Sequence, residues 1–192
     1  MTGARRRRLA ALGLAAALAA CSSPSPELYT IAPVSGAAQT GGPRVIALQQ
    51  IGTARYLERS QIVRSSENYR LDVMSNDWWG EPLSAMLSRV LIEELGQRLP
   101  QSTVLGESGA VTASPDATVE INFQRLDEDT SGNLVLMAQA SVSLKGRPAP
   151  ALRSFRFVLT PPAPGVPGEV TAISTAVGQL ADALASMLVS GR

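Results

Sequence analysis

The 192-residue sequence contains no histidine and only one cysteine. Without histidine there is no Ser-His-Asp or Cys-His catalytic arrangement, no side chain that ordinarily titrates near neutral pH, and no imidazole ligand for zinc. Aromatic residues make up only 4% of the chain, whereas hydrophobic residues make up 45%. This composition predicts a globular protein with a mainly aliphatic core, and the length is typical of one domain.

Basic residues are concentrated at the start of the chain. Four consecutive arginines, at positions 5–8, precede an apolar run over residues 9–20. This order is typical of a secretory signal peptide. Twelve helical residues span about 18 Å, less than the roughly 30 Å of a bilayer's hydrocarbon core, so we do not expect a permanent membrane span. We therefore predict a signal peptide over residues 1–20.

The apolar run ends in Leu18-Ala19-Ala20-Cys21, which resembles the lipobox of bacterial lipoproteins. The resemblance implies cleavage before Cys21 and lipidation of its thiol, with acyl chains such as palmitate. A lone cysteine would otherwise be an unpaired thiol in an oxidising compartment. Because Ser22 rather than aspartate follows, the resemblance further implies attachment to the outer membrane of a Gram-negative bacterium, facing the periplasm. Residues 21–27 are then a lipidated tether.

The chain after Cys21 is mildly acidic, with 13 basic and 16 acidic residues. It has no stripe of lysine and arginine interleaved with aromatic residues, so we expect no nucleic-acid partner. We find no internal repeat and predict a single domain over residues 28–192.

Two groups of acidic residues are candidates for a metal site or for catalysis. The run Asp127–Asp129 lacks the alternate ligand spacing of a calcium loop, so we interpret it as a solvated hairpin turn. Glu93 and Glu94 diverge around a predicted helix, and Glu94 is placed to pair with Arg98 one turn later, so we interpret them as helix-surface charges. We expect no catalytic residue, metal or cofactor.

Alternation and helical periodicity predict the secondary structure. Apolar runs and alternating residues predict strands over residues 28–32, 44–48, 61–64, 69–73, 117–123, 134–144 and 155–159. Apolar residues spaced three and four apart predict amphipathic helices over residues 79–98 and 170–188, the first capped by Asn76 or Asp77 with Pro82 in its first turn. We therefore predict an α+β fold, with a mainly antiparallel sheet and two amphipathic helices packed on one face.

Three features, taken in order, resemble the ABC-type transport auxiliary lipoproteins, including the PqiC and YmbA-like group. They are the lipobox, the run Tyr-Leu-Glu-Arg-Ser-Gln-Ile-Val at residues 56–63, and Trp-Gly-Glu-Pro-Leu at residues 79–83. The resemblance implies a non-enzymatic accessory subunit of an ABC/MCE-type phospholipid transport complex that docks the periplasmic MCE assembly at the outer membrane. Its partners would be an MCE-domain protein and an ABC permease and ATPase. A ring-shaped MCE partner would favour a symmetric homo-oligomer.

Four residues are candidates for binding the partner. Tyr56, Glu58 and Arg59 lie between two predicted strands, where they form either a partner-facing loop or a turn that satisfies its own polar groups. Trp79 continues the apolar stripe of the first helix and is predicted to be buried, whereas Trp78 lies off the stripe and is predicted to be an exposed anchor. The alternative is that the helix starts later and both rings pack in the core.

Two other classes of function compete with this interpretation. The alternative is an envelope assembly lipoprotein that acts as a scaffold or plug for an outer-membrane protein. A lipid-anchored hydrolase is disfavoured because the sequence lacks a Gly-x-Ser-x-Gly nucleophile elbow.

Overall fold

The computed structural model describes residues 25–107 and 113–190, so the predicted signal peptide and Cys21 lie outside the described residues. The strands are β1 (Glu27–Tyr29), β2 (Val45–Leu48), β3 (Gly52–Thr53), β4 (Gln61–Ser65), β5 (Asp72–Trp79), β6 (Thr103–Gly106), β7 (Ala117–Glu128), β8 (Leu134–Leu144) and β9 (Ala151–Leu159). The helices are α1 (Leu83–Arg98) and α2 (Val166–Ser190), and a 3₁₀ helix spans Arg55–Glu58.

The long strand β7 organises the sheet, because its 12 residues pair with several neighbours. Along one edge it pairs antiparallel with β8, which in turn pairs antiparallel with β9. Along the other edge it pairs in parallel with β2, then β3, then β4. The sheet continues from β2 to β6 and from β4 to β5 and β1.

The α+β class is confirmed, but the prediction of a mainly antiparallel sheet is wrong. The sheet is mixed, and five of the eight pairings among the described strands are parallel. Alternating side chains show which face of a strand is buried, and they alternate in the same way whichever direction the neighbour runs. The parallel neighbours β2 and β6 are joined by a crossover that includes α1.

The first helix begins later than predicted, because β5 continues through Trp79. Backbone pairing holds this strand to its end: the Trp79 N–H donates to Ser60 O at 2.7 Å, and the Gly80 N–H donates to Tyr29 O at 2.8 Å. The predicted caps, Asn76 and Asp77, are therefore strand residues, and Pro82 occupies the N-cap position without a side-chain hydrogen bond.

The strand predicted over residues 69–73 also starts later, at Asp72. Asn68 and Tyr69 have φ angles of 55° and 61°, in the left-handed region that turns use and strands do not. This turn leaves Tyr69 fully exposed. The alternation of Tyr69, Leu71 and Val73 is therefore no evidence of a buried face.

One hydrophobic core lies between the sheet and the two helices. The inward-facing residues of β7 and β8 join the apolar stripes of α1 and α2 in a single cluster. The 25-residue helix α2 is long and apolar enough to cross a membrane, with a mean hydropathy of 1.4 in its most apolar window. Because 67% of that window is buried inside the fold, these values suit a core helix. The opposite face of the sheet carries no helix among the described residues.

Candidate functional site

The predicted partner-binding residues Tyr56, Glu58 and Arg59 lie on and just after the 3₁₀ helix. The Tyr56 hydroxyl donates to Asp127 Oδ2 at 2.6 Å, and Leu57 is buried in the core. Burial first, and the hydrogen bond to Asp127 second, raise the pKa of the Tyr56 phenol. Tyr56 therefore fastens this segment to β7, while Glu58 and Arg59 remain exposed.

Trp78 and Trp79 face opposite sides of β5, as adjacent strand residues must. Trp79 is buried with 8% of its surface exposed and belongs to the core, whereas Trp78 is half-buried. Trp78 pairs with Leu28 on β1, which is 67% exposed, and with Gln61 on β4, two residues after Arg59. We call Leu28, Glu58, Arg59 and Trp78 the tryptophan patch. The structure thus brings the predicted residues to neighbouring strand ends.

Asp127 is buried, so its interpretation as part of a solvated turn is wrong. It belongs to β7, which extends to Glu128, and both carboxylate oxygens are engaged: Oδ2 accepts from Tyr56, and Oδ1 accepts from Arg125 Nε at 2.8 Å. Arg125 also forms an ion pair with Glu67 at 2.7 Å. Of the three acidic residues, Asp129 occupies the turn and accepts from the Ser131 N–H at 2.8 Å.

A groove of about 620 Å³ crosses the sheet face opposite the helices. Asn122, Gln139 and Ser154 form one cross-strand row in it, on β7, β8 and β9. Their amide and hydroxyl groups can hydrogen-bond to a neutral polar ligand or a polypeptide backbone. Polar residues that alternate along a strand look the same whether they face bulk solvent or a concave surface, so the amino-acid sequence does not predict this groove.

Glu94 and Arg98 are buried, so the prediction of a helix-surface pair is wrong. Glu94 Oε1 accepts from the Val34 N–H at 2.7 Å. Arg98 donates to Asp182 Oδ1 at 2.5 Å, Val34 O at 3.1 Å, Glu94 O at 3.2 Å and Gly178 O at 3.0 Å. Burial raises the pKa of Glu94 to about 7, although the Val34 N–H and the charge of Arg98 lower it.

The signal for these buried charges was present in the sequence. Positions 94 and 98 fall on the same helical stripe as Leu87, Leu91 and Leu95, at spacings of three and four. The resulting cluster connects α1, α2 and the segment that contains Val34. A Cβ added at Gly36 would collide with the Arg98 guanidinium, so that segment packs closely on the charge.

A second buried acid, Glu169, lies in the first turn of α2. Neither carboxylate oxygen has a hydrogen-bond partner among the described residues. Burial first, and the charge of Glu128 second, raise the pKa of Glu169 to about 8, although the charge of Arg64 lowers it. Glu169 is therefore predominantly protonated, and so uncharged, at neutral pH.

The described acidic residues do not form a group of three or more that could hold a metal ion. The buried acids are distributed: Asp127 pairs with tyrosine and arginine, Glu94 lies beside Arg98, and Glu169 lies in the core. The tryptophan patch and the groove are both accessible to a partner or ligand, and the groove is also lined by Glu107, Glu120 and Arg153.

Comparison with known proteins identifies a family and a shared fold. A family model described as the ABC-type transport auxiliary lipoprotein component matches residues 28–185. The crystal structure of an uncharacterized protein is 17% identical with a TM-score of 0.71, and the match covers 85% of this chain and 98% of that one. The protein XCC0632 from Xanthomonas campestris is 15% identical with a TM-score of 0.69, and the match covers 88% and 97%. No curated protein matches the chain.

Proposed function

Since the chain belongs to the family of ABC-type transport auxiliary lipoprotein components, we propose that it docks a periplasmic MCE assembly at the outer membrane, as a non-enzymatic accessory subunit of a phospholipid transport complex. The family match over residues 28–185 carries this proposal and confirms the resemblance found in the sequence. Membership assigns the protein to ABC-type transport and to a membrane-anchored place in the cell envelope. The MCE partner, the phospholipid cargo and the outer membrane are the proposed refinements.

The tryptophan patch is the proposed docking surface. A half-buried tryptophan beside an exposed leucine is typical of the anchors that dominate protein interfaces, and the neighbouring Glu58 and Arg59 supply the polar rim. Tyr56 acts from within the fold, by positioning these two residues through Asp127.

The patch is also close along the chain to the proposed lipid anchor. The seven residues from Cys21 to Leu28 span at most about 25 Å when fully extended. A partner that meets this surface must therefore approach the anchoring membrane, as proposed for the end of an MCE assembly.

Affinity purification of the full lipidated chain from its own membranes tests the proposal. We expect the MCE protein, permease and ATPase to co-purify, and Trp78→Ala to weaken their retention by about tenfold while folding is preserved. Trp79→Ala is the matched control, because it should reduce stability instead. Recovery of an outer-membrane assembly protein in place of an MCE protein would support the alternative scaffold function. If Trp78→Ala and Arg59→Glu both retain the partners as well as the wild-type protein does, the tryptophan patch is excluded as the docking surface.

Anchoring and oligomeric state are tested separately. Cys21→Ala should release the protein from the outer-membrane fraction, since that residue is the proposed site of lipidation. A ring-shaped MCE partner favours a symmetric homo-oligomer, because each repeated contact strengthens the whole association. Sedimentation of the detergent-solubilised protein should then show a closed oligomer, and a monomer at all concentrations would contradict this part of the proposal.

A further inference from the structure

Strand β9 forms a long outer edge of the sheet. It pairs only with β8 among the described strands, through nine consecutive residue pairs without a register shift. In an antiparallel pair, about every second residue of the outer strand points its N–H and C=O away from the sheet. The edge therefore offers a row of backbone donors and acceptors roughly 30 Å long.

Most of the structural features that usually protect a sheet edge are missing from β9. The outer strands β1 and β6 have only three and four residues, whereas β9 has nine. No proline lies within Ala151–Leu159, and no bulge interrupts its pairing with β8. Six of its residues are exposed: Ala151, Leu152, Arg153, Ser154, Arg156 and Val158. Only the charges of its two arginines protect this edge from unwanted pairing.

The hairpin of β8 and β9 is cationic, although the chain after Cys21 is mildly acidic. Residues 130–168 contain no aspartate or glutamate, and their four basic residues, Lys145, Arg147, Arg153 and Arg156, are all exposed. None of the four takes part in an ion pair with the described residues. This positive charge is therefore available to a partner.

The two arginines on β9 are placed to act on an added strand. Their neighbours on β8, Ala140 and Met137, are uncharged. The Arg153 guanidinium lies 5.3 Å from the centroid of the Phe155 ring, a cation–π contact that restrains it. Because Arg153 and Arg156 are three residues apart, they face opposite sides of the strand.

We propose that β9 binds an extended acidic segment of a partner polypeptide as an additional strand of the sheet. The backbone row supplies the affinity, as in other cases of strand addition, and the side chains supply the specificity. Acidic residues three positions apart on the incoming segment would meet Arg153 and Arg156. The exposed Leu152 and Val158 favour apolar residues elsewhere along it.

Other occupants fit these observations less well. A second copy of β9 would bring four arginines together, and like charges on adjacent strands are destabilising. The cations would attract an anionic membrane, but lipid headgroups do not match the regular row of backbone donors and acceptors along the edge of a strand. The inference does not depend on the identity of the transport partner proposed above.

Peptide binding to the full lipidated chain in detergent micelles tests the inference. The probe is a fluorescent peptide of sequence Thr-Val-Glu-Val-Thr-Glu-Val, whose two glutamates are three positions apart. We expect it to bind, and we expect the double variant Arg153→Glu/Arg156→Glu to weaken binding by about tenfold. Arg70→Glu is the matched control, because it reverses an exposed charge in the turn between β4 and β5 and should leave binding unchanged.

Two altered peptides separate charge from backbone recognition. Lysine in place of both glutamates, or N-methylation of alternate backbone amides, should abolish binding to the wild-type protein. Equal binding of the acidic and lysine peptides, or an equal loss in Arg70→Glu, would overturn the inference.

Amide hydrogen exchange gives a measurement that does not depend on whether the double variant folds. The acidic peptide should slow exchange of the outward-facing amides of β9 in the wild-type protein, and no change would overturn the inference. Sedimentation with phosphatidylglycerol vesicles distinguishes the membrane alternative. If the double variant loses vesicle binding and no peptide binds the wild type, the cations serve a membrane and the inference is wrong.

Discussion

The two helices each bury a glutamate, but the two carboxyl groups are accommodated in opposite ways. Glu94 on α1 accepts a hydrogen bond from Val34 and lies beside Arg98, whose guanidinium contacts four acceptors. Among the described residues, Glu94 Oε2 has no hydrogen-bond partner, and on α2 neither carboxylate oxygen of Glu169 has one. A buried acid can thus be compensated by a polar network that connects separate segments, or it can be neutralised by a proton. Burial raises the pKa of both acids, so both arrangements make stability depend on pH, but only the first also makes it depend on specific partners.

Among the substitutions that test this contrast, removal of Arg98 should have the largest effect on the free energy of unfolding. Arg98→Met leaves Glu94 and three buried carbonyl groups without their cation, so we expect a loss of about 3 to 5 kcal/mol in the free energy of unfolding. Denaturant melts measure it. Arg89→Met is the control, since Arg89 forms an exposed ion pair with Glu81 and should cost less than about 1 kcal/mol. Similar losses in both variants would show that burial of the network is unimportant.

The pH dependence of stability should identify Glu169. Its folded pKa, about 8, lies above the ordinary glutamate value of 4.5, so the folded state holds this proton more tightly than the unfolded state. This contribution to stability is fully present below about pH 4.5 and is lost as the pH rises towards 8. The side-chain amide of the Glu169→Gln variant cannot lose a proton. Between pH 4.5 and pH 7, the free energy of unfolding should therefore decrease by up to about 3 kcal/mol less in this variant than in the wild-type protein.

Melts at several pH values between 4 and 8 measure the slope for Glu169→Gln. Glu120→Gln is the matched control, because it removes an exposed carboxylate from the open face of the sheet. The same decline in wild type and in Glu169→Gln would contradict the assignment.

A double-mutant cycle sharpens the contrast on α1. Glu94→Gln keeps an oxygen that can accept from Val34 but removes the carboxylate, so Arg98→Met should be less damaging in that background. We expect a coupling energy of about 1 to 3 kcal/mol between these neighbouring residues. The corresponding cycle between Glu169→Gln and Arg98→Met should show less than about 0.5 kcal/mol, since no shared hydrogen bond connects them. If the two cycles gave equal coupling energies, Arg98 would not distinguish Glu94 from Glu169.

The smallest effect is expected at Asp127, a buried acid whose two oxygens are both hydrogen-bonded. Tyr56→Phe removes one of these bonds and retains the other, so we expect a loss of about 1 to 2 kcal/mol, measured by denaturant melts. Tyr69→Phe is the control, because Tyr69 is fully exposed. No difference between the two variants would mean that Tyr56 does not fasten the 3₁₀ helix to β7.

Local patterns predicted much of the fold and part of the candidate site. The predicted strand over residues 134–144 coincides with β8, since an alternating run between turn residues has few other interpretations. The burial of Trp79 was also predicted, although it lies in a strand and not in the helix. The boundary failed because pairing with Ser60, which is distant in sequence from Trp79, keeps the chain extended there.

The sequence alone determined the periodic elements, the family resemblance and the charge of the β8–β9 hairpin, because each of these depends on the order of residues along the chain. Only the tertiary structure decided the direction of the strands, the burial of Asp127 and Glu169, and the free edge of β9. The physical reason is that these properties depend on neighbours far apart in the chain. Whether a carboxyl group is exposed or buried depends on which segments pack over it. Whether a strand lies at the edge of a sheet depends on whether a second strand pairs with its outer side.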